Sequence, residues 1–418
     1  MKIIIHKLIS VLLFSLICLS CSSQASKDKI SKENIEVEEY KYASMKDGIL
    51  HLDLDKSRKH PREVKLSEIC DSLIYIPLET KKGCLIKFIN DVQIDGDDIF
   101  VQDRGSLYHF DINGKFLGQL GKAGRGPGEY VCGGFCIDNV NKRVYAIANF
   151  RHRIYKFDYN QRLISSKLKS TQVLSRMCFN TKNNSIAASS WYMFWHNKNS
   201  HYPMLTEIDC QKNIETTLQS KYFPSNFFVD NSNAKFNTIG SNVYCYEDQI
   251  FFQEIANDTV FYKDRNVLNT HIILNNKDFV PPFVSTIDFS SKALKAGGFG
   301  KFFYSKVVGE SPRYVFCGGY WAIYSFIYDK KRKELICNKI KGTDSPQIVN
   351  DFDGVLDFKR SKVRSNRYLA TYFQAERLIE LAENISANKS IYTQKLGSIR
   401  ENITEESNPI IVIGRLKK

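Results

Sequence analysis

The sequence predicts an all-β fold, a six-bladed β-propeller with a tethering N-terminal segment and one late surface helix. Three observations carry that prediction. Short alternating apolar runs bounded by Gly, Asn and Asp recur about every 40–50 residues. Aromatic residues make up 13% of the chain, with 28 Phe and 22 Tyr, a composition that leans toward sheet. Helical spacing stands out in one late stretch.

The elements follow in order. Ile3–Leu19 is a short apolar run behind Lys2, His6 and Lys7, ending in Ser20-Cys21-Ser22-Ser23. A basic start, an apolar middle and a small residue before cysteine predict a lipoprotein signal over residues 1–20, with Cys21 as the lipidated N-terminus. Residues 21–65 are polar and charged and read as a tether, with a loosely docked strand at Gly48–Leu54. Residues 66–418 are the propeller. Its first strand is Asp71–Thr80, DSLIYIPLET, with Ile74, Ile76 and Leu78 on one face.

The recurring unit is clearest at Leu107–Tyr130, LYHFDINGKFLGQLGKAGRGPGEY. Asp98–Asp103 and Leu107–Asp111 are strands, and Asn113-Gly114 is a hairpin turn into Lys115–Leu120. A second copy spans Arg143–Leu168, and Tyr155 stands 47 residues after Tyr108. A third spans Ser185–Leu218, lengthened by an aromatic insertion at Trp191–His201. A fourth covers Asn242–Leu274 and a fifth Arg313–Ile340. The sixth, Val355–Lys359 and Arg367–Tyr372, is irregular and runs into an amphipathic helix at Gln374–Ser386. A polar loop is expected next, then a last strand, Ile410–Leu416. A four-stranded blade cannot bury both of its faces alone, so blades pack in a ring. Closing the ring requires Ile74–Leu78 and Ile410–Leu416 to share the last blade.

With those residues placed, the chain resembles the six-bladed β-propeller lipoprotein family of Gram-negative anaerobes, related to the NHL-repeat class. The matching elements are the Cys21 leader, DSLIYIPLET, FDINGKFLGQLGKAGRGPGEY, NDTVFYKD, LIELAEN and NPIIVIGRLK. The resemblance implies a membrane-tethered propeller and brings no catalytic residue with it. The stretch after Cys21, CSSQASKDK, is not acidic, which favours an outer-membrane anchor facing the periplasm over surface display.

Formal charge is +14, and +12 once Lys2 and Lys7 leave with the signal. The basic residues are scattered, so a nucleic-acid partner is not expected; they read first as solvated surface, with attraction to anionic headgroups or acidic glycans as the alternative. Nine cysteines of residues 22–418 form no disulfide pattern and read as small buried groups; Cys132 and Cys136 could share one strand face.

No serine-nucleophile or zinc motif is present in residues 22–418, and Gly121–Gly128 lacks the order of a phosphate loop. No catalytic residue, metal or cofactor is assigned. Ligand-binding candidates fall in two groups. Arg104, Arg151 and His152 follow inner strands, where a channel-mouth site would collect cations. Trp191, Trp195 and His196 crowd the third-blade insertion, where rings could stack on sugars. The expected function is a monomeric binding module for a glycan, peptide or envelope protein. The alternative is a lyase or hydrolase with its site at the channel mouth.

Overall fold

The computed structural model describes residues 37–418 apart from 127–128, 191–202, 220–241, 255–256, 265–266, 277–305, 319–323, 340–345, 360–361, 365 and 382–390. Its sheets form a six-bladed β-propeller. From the channel outward, blade 1 is Ile89–Asp95, Asp98–Asp103, Ser106–Asp111 and Phe116–Gln119. Blade 2 is Gly134–Asp138, Arg143–Ala148, Arg153–Asp158 and Leu163–Lys169. Blade 3 is Leu174–Asn180, Ser185–Ser190, Pro203–Asp209 and Ile214–Gln219. Blade 4 is Asn242–Tyr246, Gln249–Gln253, Thr259–Asp264 and Val267–Asn275. Blade 5 is Lys306–Glu310, Tyr314–Gly318, Ser325–Asp329 and Glu334–Asn338.

Blade 6 closes the ring with strands from both ends of the chain. Its order is Lys362–Arg364, Tyr368–Phe373, Ile410–Leu416 and Cys70–Pro77. Ile410 pairs with Pro77 and Ile413 with Ile74, the closure that the sequence requires.

The core is six cores, each at a junction between consecutive blades. Second strands are buried on both faces, and alternate side chains serve alternate junctions. In blade 1, Ile99 and Val101 pack toward blade 6 while Phe100 packs toward blade 2. In blade 2, Val144 and Ala146 face blade 1, and Tyr145 and Ile147 face blade 3. Blade 4 repeats the division with Phe252 toward blade 3 and Phe251 toward blade 5. Each fully buried Phe or Leu in such a core contributes roughly 1.5–3 kcal/mol. The period of 2 along a strand therefore distributes burial between neighbours instead of dividing core from solvent.

The stretch expected as a tether is folded from Val37 onward. Val37–Tyr40, Ala43–Lys46 and Ile49–Asp53 form an antiparallel meander. Its last strand pairs in parallel with Val267–Asn275, extending blade 4 outward to seven strands. Leu52 and Leu54 are buried in the junction between blades 4 and 5. Arg62 and Lys65 then bridge to Asn338 and Val349 along blade 5 before the chain enters blade 6. The correction has a physical reason: outer strands present unpaired amides and carbonyls, and this segment covers them. The remainder of the expected tether, and Cys21, lie outside the described residues.

Three further differences concern local elements. The innermost strands of blades 1, 2, 3, 5 and 6 are not legible as strands, and the strand expected at Val355–Lys359 in blade 6 is only Phe358–Lys359, paired with Gln347–Ile348 in a separate two-stranded sheet. The expected polar loop contains a helix, Ile391–Glu401, whose Leu396 and Ile399 join Leu378 of the helix Ala375–Leu381 in the core between blades 5 and 6. Cys132 and Cys136 do not share a face: Cys132 packs between blades 1 and 2, and Cys136 between blades 2 and 3.

The Asn113-Gly114 turn docks blade 1 on the closing blade. Gly114 has φ +84, its carbonyl accepts the Glu79 N–H at 2.8 Å, and a Cβ there would lie 2.1 Å from the Pro77 carbonyl oxygen. Gly114→Ala is expected to lower stability by about 2 kcal/mol or more in urea unfolding. Wild-type stability in that variant would contradict the docking.

Candidate functional site: the central channel

The inner strands of blades 1 to 5, with Asn366–Tyr368 of blade 6, line an axial channel of about 740 Å³. Strand register fixes what stands at each mouth. Inner strands begin beside the ends of second strands: Ile89 opposite Asp103, Gly134 opposite Ile147, Asn242 opposite Gln253, Lys306 opposite Gly318. They end beside the starts of second strands, as Asp95 does opposite Asp98. One mouth is therefore built from inner-strand starts, and the other from the short turns that follow inner-strand ends.

The first mouth carries the cations. Arg176 lies where the inner strand of blade 3 shifts register between Leu174 and Met177. Such an irregularity re-aims a side chain. Arg176 Nη1 donates to Asn242 Oδ1 at 2.8 Å, and Asn242 Nδ2 donates to the Val307 carbonyl. That network joins blades 3, 4 and 5 around Lys306. Lys306 is partly open to the channel yet surrounded by protein on all sides. Burial, then the neighbouring Arg176 guanidinium, lowers its pKa to about 7. Arg176 and Lys306 thus face one channel space.

The second mouth is acidic. Asp95, Glu247 and Asp248 line it. Asp95 accepts from Lys142 Nζ at 2.7 Å and from Tyr159 OH at 2.8 Å. Asp248 accepts from Thr181 Oγ1 at 2.7 Å. Glu310 ends the inner strand of blade 5, about 13 Å along it from Lys306. Its buried carboxylate meets His271 Nε2 at 3.0 Å, Lys330 Nζ at 2.6 Å and Tyr244 OH at 3.2 Å. Burial opposes ionisation, but His271 and Lys330 outweigh it and hold the Glu310 pKa below the usual carboxylate value. Asp91 also lines the first mouth and Arg367 the second, so Arg176 and Lys306 stand at one end of the channel and most of its carboxylates at the other.

Arg104, Arg151 and His152 follow second strands, at the basic mouth but one strand out from the channel. None of them lines it. Arg104 is exposed with φ +53, and its N–H donates to Asn90 Oδ1 at 2.6 Å. His152 occupies the equivalent turn with φ +52 and meets the Ser170 carbonyl through Nδ1 at 3.2 Å. Arg151 Nη2 donates to the carbonyls of Arg125 and Gly126. It clamps the glycine-rich loop, whose Gly126 N–H is taken by Glu129 Oε2 at 2.9 Å. A Cβ at Gly124 would lie 2.0 Å from that carboxylate, so glycine here admits the chain's own anion. Trp191, Trp195 and His196 lie outside the described residues. Arg176, Lys306 and Glu310 were missed because the strands that carry them show no clean alternation.

Among the described residues, no group of three His, Cys, Asp or Glu side chains could hold a metal ion, and no helix is long and apolar enough to cross a membrane.

His109 is the buried titratable group beside the acidic mouth. It stacks on Phe100, meets Asp98 Oδ1 through Nε2 at 2.7 Å, and meets Gln161 Nε2 through Nδ1 at 2.7 Å. The amide also donates to the Tyr159 carbonyl, and with Nδ1 accepting from that amide the network suits a neutral ring. Burial lowers the His109 pKa against the pull of Asp98. A depressed folded value means this contribution to stability is full above about pH 6.5 and is lost as pH falls toward the folded pKa. Gln161→Glu supplies Nδ1–H with an acceptor, so the variant is expected to lose less stability between pH 7 and pH 5 than wild type. Equal losses in urea unfolding would refute the tautomer assignment.

The chain belongs to the family described as a domain of unknown function, DUF4934, whose model matches residues 50–415. No curated protein matches it. Among solved structures, a candidate exported protein of Bacteroides fragilis is similar at 17% identity and TM-score 0.61, over 86% of this chain and 98% of that one. The extracellular domain of a one-component system of B. thetaiotaomicron matches at 12% identity and TM-score 0.37, over 63% of this chain and 29% of that one. The Swd1 β-propeller domain of Myceliophteria thermophila matches at 11% identity and TM-score 0.36, over 66% of this chain and 91% of that one. At 17% identity the likeness to the B. fragilis protein is one of fold.

Proposed function

We propose that this chain is a binding module that takes an acidic glycan at the basic mouth of its channel, with a sugar carboxylate seated between Arg176 and Lys306. The observation that carries the reading is the pair of cations facing one channel space. A carboxylate there would form charge-assisted hydrogen bonds in a setting of low dielectric. The acidic far mouth orients the ligand, because the field along the axis favours an anion at one end only. The formal charge of +14 supports an acidic partner. In this reading the protein is exported as a lipoprotein through Cys21, anchored in the outer membrane facing the periplasm, and related to NHL-repeat propellers. The leader and the folded start at Val37 support a short linker between anchor and disc.

A second reading, turnover, has one observation in its favour. An amine with pKa about 7 is a competent general base, and Arg176 beside it could neutralise a uronate carboxylate during β-elimination.

Calorimetry with oligogalacturonate and its neutral galactose counterpart tests the proposal. Binding is expected for the acidic oligomer alone, and it weakens as pH rises through about 7, where Lys306 loses its proton. Arg176→Ala and Lys306→Met are each expected to weaken it at least ~10-fold, since hydrogen bonds to charged groups contribute about 1.5–3 kcal/mol. Equal binding of the neutral oligomer, or unchanged affinity in both variants, would overturn it. An unsaturated, ultraviolet-absorbing product would move the assignment to a lyase.

A further inference from the structure

Cys178 lies on the inner strand of blade 3 and Cys245 on that of blade 4. Both pack against the core of that junction, which Ala187, Val243 and Phe252 share, and both line the channel. Their thiols are neighbours close enough to affect one another's ionisation. Cys245 Sγ also meets the Phe179 carbonyl at 3.4 Å, which sets it against the backbone immediately after Cys178. Each is half-buried and free, whereas Cys70, Cys84, Cys132, Cys136, Cys317 and Cys337 are fully buried. Two thiols thus neighbour each other across a blade junction, in the wall of a channel that a small oxidant can enter.

We infer that Cys178 and Cys245 are a redox site that forms an inter-blade disulfide when the protein meets a disulfide oxidant. One thiolate of the pair attacks the oxidant's disulfide, making a mixed disulfide and releasing one thiol. The second sulfur of the pair attacks that mixed disulfide and releases the other thiol. The two cysteines lose two electrons and two protons, one S–S bond forms, and the oxidant's disulfide is reduced to two thiols. The neighbouring Cys245 thiol, then burial, holds the Cys178 thiol protonated, so the reaction is slow at neutral pH.

The bond would staple the two strands that hold the Arg176–Asn242 hydrogen bond. Arg176 lies two residues before Cys178, and Asn242 three before Cys245. Linking residues 67 apart in the chain also constrains the unfolded state.

The test is peptide mapping of the purified protein after exposure to glutathione disulfide at mildly alkaline pH, with free thiols alkylated during unfolding. The expected result is one linked species, Cys178 to Cys245, with Tm raised by at least about 2 °C and reversed by reductant. Cys178→Ser and Cys245→Ser should each abolish link and shift, while Cys136→Ser, a neighbouring sulfur, should leave both. Two alkylated thiols after prolonged oxidation, glutathione adducts without a link, or a link to Cys136 or Cys210 would each overturn the inference. The wild-type map decides the matter even if a variant fails to fold.

Discussion

Every blade of this protein has two apolar faces, and that constraint governs the rest. A sheet with Ile99 and Val101 on one side and Phe100 on the other has no solvent face. Only a neighbour on each side removes both from water, so the structure is stable as a closed ring or not at all. Closure falls to the pairing of Ile410–Leu416 with Cys70–Pro77, two strands from opposite ends of the sequence. That pairing creates the junctions with blades 1 and 5 together, because Ile411 and Ile413 serve one and Ile410 and Val412 the other. The N-terminal segment continues the same logic outward by covering strand edges that the ring leaves open.

A ring closed in this way makes an axial channel without selecting what lines it. Side chains that face neighbours are held to apolar types, whereas the open edges of the inner strands are free to carry charge. The register shift beside Arg176 shows how that freedom is used. An extra residue in the strand turns the guanidinium into the channel, where Asn242 holds it. Lys306 and Glu310 sit at opposite ends of a single strand. The same short element thus supplies one mouth's cation and the far end's buried carboxylate.

Much of this was legible in the sequence, and the illegible part has a common cause. The hairpins of blades 1 and 2 announce themselves through alternation and through Asn113-Gly114, because their turns demand particular residues. Blade closure followed from counting units. Inner strands offer no such signals: GFCID, LSRMCFN and KVVGE mix small, polar and apolar residues, since one edge meets water and bulges break the period. Arg104 and His152 were visible because they sit in turns, the positions that sequence reading favours. The cations nearest the channel were hidden in strands that did not look like strands. The helix Ile391–Glu401 was hidden likewise, its Leu396 and Ile399 diluted by Ser, Gly and Lys.

The central claim is that the channel holds an anion site built on a lysine of depressed pKa. The most direct measurement is the pH dependence of Lys306 acylation by an amine-reactive reagent, read by mass spectrometry with and without oligogalacturonate. The expected midpoint lies near pH 7 in the free protein and moves clearly upward when the acidic ligand is present. A midpoint near the ordinary lysine value of about 10.4, unmoved by ligand, would contradict it.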